Sequence, residues 1–148
     1  MKRLVTLLLI CLFASSTPSV EAATIYWVGT TGNYSDGLNW NTQPDGSGTS
    51  GVPVNTDDVV ISKNATINID GTYQPSSLWI TNNAVVNFTN SVASRNYSIG
   101  GSLTISPAFK IEAGATLNIQ GTAAIVLDVI TGNAAQIYGT LDFTGTSS

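Results

Sequence analysis

Apolar and polar residues alternate with a period of two in short runs: Val59 to Ile61, Thr66 to Ile69, Ser77 to Ile80, Val85 to Phe88, Ser102 to Ile105, Thr116 to Ile119, Ala124 to Leu127 and Thr140 to Phe143. Alternation of this kind sends successive side chains to opposite faces of a strand. Gly, Asn and Ser, which favour turns, separate the runs. No stretch beyond Ala22 carries apolar residues at helical spacing over three turns. The pattern therefore predicts an all-β protein, and strands this short and this frequent fit either a solenoid of stacked coils or a β-sandwich.

An internal repeat separates these two architectures. Ile61-Ser-Lys-Asn-Ala-Thr-Ile-Asn-Ile69 is followed 19 residues on by Ile80-Thr-Asn-Asn-Ala-Val-Val-Asn-Phe88, and then by Ile111-Glu-Ala-Gly-Ala-Thr-Leu-Asn-Ile119. The fourth position is Asn64, Asn83 or Gly114, residue types that tolerate a left-handed backbone at a sharp corner. The fifth is always Ala (Ala65, Ala84, Ala115) and the eighth always Asn (Asn68, Asn87, Asn118). After the corner, alternation turns Ala65, Ile67 and Ile69 to one face and Thr66 and Asn68 to the other. A single coil of this length cannot bury enough apolar surface to offset the entropy of ordering it, so coils must stack. Stacked at equivalent positions, the three Asn residues would form a side-chain ladder. A second unit, Gly101 to Ile105 and Gly139 to Phe143, with Ser76 to Ile80 as a looser version, is expected on another side of the same coil. The longer interval before the third copy is expected to be taken up by a surface loop at Ser91 to Tyr97.

Composition removes most enzyme chemistry. The chain has no His and one Cys, Cys11, which excludes Ser-His-Asp triads, zinc sites of the usual ligand types and thiol catalysis in the exported chain. Charged residues make up 9%, against roughly 25% in an average globular protein. Lys2 and Arg3 precede an apolar run from Leu4 to Ala14, and Val20-Glu21-Ala22 has the small-x-small spacing of a cleavage site. Residues 1–22 are therefore expected to be a signal peptide cut after Ala22. The apolar run is too short for a membrane-spanning helix, which needs about 20 residues. The formal net charge is −4, and loss of Lys2 and Arg3 with the leader makes the remainder more acidic. Nucleic acid, which requires clustered Lys and Arg, is excluded as an expected partner.

The segments Tyr26-Trp-Val-Gly29, Gly32-Asn-Tyr-Ser-Asp-Gly-Leu-Asn-Trp40, Gly51-Val-Pro53 and Asp57-Asp-Val-Val-Ile61, followed by Ser-Leu-Thr-Ile and Gly-Ala-Thr-Leu repeats, are distinctive together. This order resembles the N-terminal portion of large bacterial surface proteins of the Bacteroidetes-type secretion systems. The resemblance implies a right-handed parallel β-helix of the adhesin or autotransporter-passenger class, exported and displayed at the cell surface. Tyr34 departs from it, standing where Trp would be usual. Because Gly139 to Ser148 reads as one coil of a continuing series, the chain is expected to be part of a longer product. The expected organisation is a signal peptide at 1–22, an N-terminal cap at 23–56 and parallel β-helix coils at 57–148.

Candidate binding residues are aromatic. Trp27, Trp40 and Trp79 offer faces for stacking on sugar rings, against which Trp27 and Trp40, with Tyr26 and Tyr34, can instead plug the open end of a solenoid. Trp79, between Leu78 and Ile80, is expected to point outward. Asp57 and Asp58 lack the spacing of a calcium loop and suit turn and strand-end capping. Arg95 could act as a lyase base, with Asp128 as the other residue a lyase would require, but no acidic cluster is near Arg95 in sequence. The expected function is a non-enzymatic surface or adhesin-like module, with a carbohydrate-binding module as the alternative and a polysaccharide lyase as the lesser one. No cofactor and no metal are expected. Expected partners are surface glycans, proteins of a host or neighbouring cell, or further copies joined through an open last coil.

Overall fold

The computed structural model describes residues 22–101, 107–130 and 134–144. Among these there is no α-helix, and a 3-10 turn spans Gly37–Asn39. Thirteen strands follow in chain order: β1 (Thr24–Trp27), β2 (Thr31–Asn33), β3 (Trp40–Asn41), β4 (Asp58–Ile61), β5 (Ala65–Asn68), β6 (Ser77–Ile80), β7 (Val85–Thr89), β8 (Arg95–Ile99), β9 (Phe109–Ile111), β10 (Thr116–Ile119), β11 (Ile125–Val129), β12 (Ala135–Ile137) and β13 (Thr140–Phe143). The protein is all-β, as the alternation predicts.

The strands form three sheets, ordered β12-β9-β6-β4-β1-β3, β13-β10-β7-β5-β2 and β11-β8. Every strand pair is parallel except β1 with β3. From β6 onward the chain visits the first sheet, then the second, then the third where a strand is formed there, and returns to the first. Among the described residues, hairpin pairing, the mark of an antiparallel sandwich, is thus confined to the start of the chain. Within the segment 23–56, β1 and β2 are the parallel neighbours of β4 and β5.

Side-chain alternation explains why the sheets face one another. Val59, Ile61, Ile67, Ile69, Leu78, Ile80, Val86 and Phe88 are all buried, and so are Ala65, Ala84 and Ala115. Between them Thr66, Asn68, Asn87, Thr116 and Asn118 lie half-exposed on the opposite faces. Small Ala after each corner lets the chain bend inward without crowding the larger residues that follow.

The register between copies departs from the sequence alignment. Ile61 lies opposite Ile80, as aligned, yet Ala65 lies opposite Val86 and not Ala84. The corner before β7 is two residues longer than the corner before β5. A shift of two keeps the inward set inward, so the core tolerates it. Copies two and three are in register throughout, with Ile80 opposite Ile111 and Asn87 opposite Asn118. The left-handed backbone sits at Asn82 (φ 55°), Asn83 (φ 56°) and Gly114 (φ 82°), and Asn64 does not adopt it. Asn64 instead uses its side-chain oxygen to accept the Val85 N–H at 2.8 Å.

Three further expectations change. Ser91 to Tyr97 is not wholly a loop: β8 begins at Arg95, and Tyr97 is fully buried opposite Leu127. Ser77–Ile80 belongs to the first sheet and Thr140–Phe143 to the second, so these similar segments lie on different sides. The expected strand at Ser102 to Ile105 and the leader at residues 1–21 lie outside the described residues.

Candidate functional site

At the N-terminal end Trp27, Tyr34 and Trp40 turn inward, whereas Tyr26, expected to join them in plugging the end, lies half-exposed on the other face of β1 by alternation. Trp27 and Trp40 are buried, with ring centroids 4.8 Å apart and edge to face. Tyr34 packs edge-on against Trp40 at 4.6 Å and stacks on Tyr73 at 3.9 Å. The Trp40 indole N–H donates to the Tyr34 carbonyl at 2.7 Å. These contacts correct the assignment of Trp27 and Trp40 as glycan platforms, since a ring buried against other rings offers no face to a sugar. Both rings belong to the buried core instead. Tyr34, where the resembled pattern has Trp, carries a hydroxyl that meets the Tyr97 hydroxyl at 3.3 Å. A Trp there would lack that group.

Burial raises the Tyr34, Tyr97 and Tyr73 phenols above their ordinary range. At Tyr73 the hydrogen bond to Asp70 adds to this. The Tyr73 hydroxyl donates to Asp70 at 2.6 Å, and Ser35 donates to the same carboxylate through its backbone N–H and its hydroxyl. Partial burial works to raise the Asp70 carboxyl, but the Ser35 and Tyr73 hydrogen bonds outweigh it and hold it below the usual range.

Trp79 projects outward between buried Leu78 and Ile80, as alternation predicts. It is half-buried rather than free, and its indole N–H donates to the Pro107 carbonyl at 3.0 Å. Its neighbours across the first sheet are Val60 and Lys110. Lys110 pairs with Glu112 at 2.9 Å, and this hydrogen bond holds the Glu112 carboxyl below its usual range.

The outer face of the second sheet is neutral and polar. Asn118 donates to Asn87 at 2.8 Å, Gln120 donates to the same oxygen at 3.3 Å, and Asn87 donates to Thr66 at 3.4 Å. The expected Asn ladder therefore exists between Asn87 and Asn118. Asn68 is displaced from it by the two-residue offset, lies opposite Thr89 and donates to Asn33 at 2.9 Å. Where the offset opens the face, Thr30, Asn64, Ala65, Thr66, Val85 and Asn87 line a shallow groove. None of these side chains titrates, so the groove offers neutral hydrogen-bonding groups, and its lining holds no acid or base to activate the Thr30 or Thr66 hydroxyl.

The aspartates Asp57, Asp58, Asp36 and Asp45 have local partners. Asp57 accepts the Ala23 and Val54 N–H groups at 3.2 and 2.9 Å, and Asp58 accepts the Ser77 hydroxyl at 2.8 Å. Asp36 caps the 3-10 turn through the Leu38 N–H, and Asp45 closes its own turn onto Ser47. Among the described residues no three His, Cys, Asp or Glu side chains converge. Arg95 lies opposite Ile125 and Asp128 opposite Ser98, so β8 and β11 do not set the two against each other. No family model, curated protein or solved structure matches this chain.

Proposed function

We propose that the chain is an exported, non-enzymatic surface module built as a right-handed parallel β-helix with an aromatic N-terminal cap, serving as a rigid rod for adhesion or display. The observation that carries it is the parallel register running from β1 to β12 in one sheet and from β2 to β13 in the next, with apolar residues inside and neutral Thr and Asn outside. Parallel ladders of this kind build length along one axis, each rung bonded to the rungs beside it. Expression in a secreting bacterial host tests the export half. Mass spectrometry of the secreted chain should find an N-terminus at Ala23, and antibody raised to the exposed 43–50 segment should label intact cells. A chain retained in the cytoplasm with residues 1–22 attached would sink this reading.

Carbohydrate binding is the second reading. It is favoured by outward Trp79 and by the neutral polar groove at Thr66 and Asn87. Glycan binding lost in Trp79→Ala or Asn87→Ala, with an unchanged melting temperature, would select it over the rod alone. Equal binding by wild type and both variants would remove it.

A further inference from the structure

Ala23 stands immediately before β1 and Asp57 immediately before β4, and the parallel pairing of Thr24 with Asp58 makes the two residues neighbours in space. The contact between them is direct. The Ala23 N–H donates to Asp57 Oδ1 at 3.2 Å, and the Ala23 carbonyl accepts the Asp58 N–H at 2.8 Å. Ala23 is thus held at both backbone groups and packs half-buried against the core, while Ala22 before it is exposed. Asp57 is only 7% exposed. Its other carboxylate oxygen accepts the Val54 N–H at 2.9 Å, and its backbone carbonyl accepts the Ser76 N–H at 2.9 Å, so it ties β1 to the turn before β4 and to the approach to β6. Both donors to the carboxylate are neutral amides. Among the described residues no Lys or Arg pairs with Asp57, the ion pair being Lys110 with Glu112. A carboxylate withdrawn from water without a counter-charge is costly.

We propose that removal of the leader supplies the missing counter-charge: the new α-ammonium group of Ala23 pairs with Asp57 and locks β1 onto β4. The inference rests on the cut after Ala22 in the export reading. When a signal peptidase hydrolyses the Ala22–Ala23 bond, the C–N bond breaks, the water oxygen joins the Ala22 carbonyl carbon as part of a carboxylate, and both water protons end on the Ala23 nitrogen. An α-amino group, with an ordinary pKa of about 7.7–8.0, is mostly charged at neutral pH. One neutral N–H thereby becomes three donors bearing a positive charge, at a nitrogen already within hydrogen-bond reach of Oδ1. The position of the cut is decisive. A cut one residue earlier keeps a neutral amide at Ala23 and puts the charge on exposed Ala22, and a cut one residue later removes Ala23 altogether. Processing and stability are coupled in this way, since maturation strengthens the first strand at the residue where it enters the sheet.

Three chains ending at Ser148 test this: one beginning at Ala23 with a free amine, one beginning at Ala23 with that amine alone acetylated, and one beginning at Ala22. The acetyl group keeps an N–H for Asp57 and removes only the charge. In chemical denaturation at neutral pH followed by circular dichroism, the free amine at Ala23 should raise the folding equilibrium constant about ten-fold over either of the others, the margin of a charge-assisted hydrogen bond over a neutral one. Asp57→Asn should abolish that difference, whereas Asp58→Asn should keep it, because the Asp58 carboxylate accepts the Ser77 hydroxyl instead. Equal stability of the free and acetylated chains would overturn the pair, and would do so even if Asp57→Asn does not fold. A difference that survives in folded Asp57→Asn would overturn it too, since the amine would then act elsewhere. These chains begin at defined residues, so their result does not depend on export. A secreted chain whose N-terminus is not Ala23 would overturn the cut on which the inference rests.

Discussion

Trp27 and Trp40 are equally buried neighbours with different polar fates. The Trp40 N–H has the Tyr34 carbonyl as partner, while the Trp27 Nε1 is buried without one. Replacing a paired donor leaves an acceptor stranded, whereas replacing an unpaired donor removes a desolvation cost. Trp40→Phe should therefore destabilise more than Trp27→Phe, by about 1–3 kcal/mol, in chemical denaturation followed by circular dichroism. Equal losses would show that ring volume alone matters. At the surface, Asp70 has a folded pKa below its ordinary value. Its contribution is complete above the unfolded pKa of about 3.9 and disappears as pH falls through the lower folded value. Asp70→Asn should lower stability at neutral pH by less than about 1 kcal/mol, since the carboxylate is largely solvated. The two proteins should converge as acid protonates Asp70 in the folded state as well; a stability difference that does not shrink as pH falls would refute the linkage.

At the scale of elements, corners decide register. The corner before β7 holds two consecutive left-handed residues, Asn82 and Asn83, and the extra length displaces β7 by two residues relative to β5. Parity is the physical constraint, because a slip of one turns every inward side chain outward while a slip of two does not. Deleting Asn82 alone should abolish the cooperative thermal transition. Deleting Asn82 with Asn83 should preserve it at a cost of about 1–3 kcal/mol. Similar melts for the two deletions would show that the corner absorbs the change without moving the strand. β8 was hidden in the sequence because Arg95 and Asn96 precede its only two strongly apolar positions, Tyr97 and Ile99, inside a Ser- and Asn-rich stretch. β9 and β12 have three residues each, too few for alternation to declare itself.

Across the whole molecule, the buried tyrosines tie distant parts of the chain together, as Tyr34 meets Tyr97 at a separation of 63 residues and Tyr97 packs on Phe88 with centroids 5.1 Å apart. Their folded pKa values lie above the unfolded value of about 10. The neutral phenols therefore stabilise the fold fully below about pH 10, and that stability is lost as pH rises beyond it. Alkaline titration should unfold the protein cooperatively, and Tyr97→Phe should make the dependence on pH shallower. An unchanged slope would mean that Tyr97 ionises without unfolding.

The sequence by itself determined the all-β class, the inward placement of Ala65, Ala84 and Ala115, the outward placement of Trp79 and the Asn87–Asn118 contact. Each follows from period-two alternation or from a local repeat, which act within a few residues. Tertiary structure alone decided that Trp27 and Trp40 are buried, that Asn68 pairs with Asn33, and that Asn64 accepts a hydrogen bond rather than adopting a left-handed backbone. Those outcomes depend on which strand lies beside which, and that is fixed by corner length and by contacts between residues tens of positions apart.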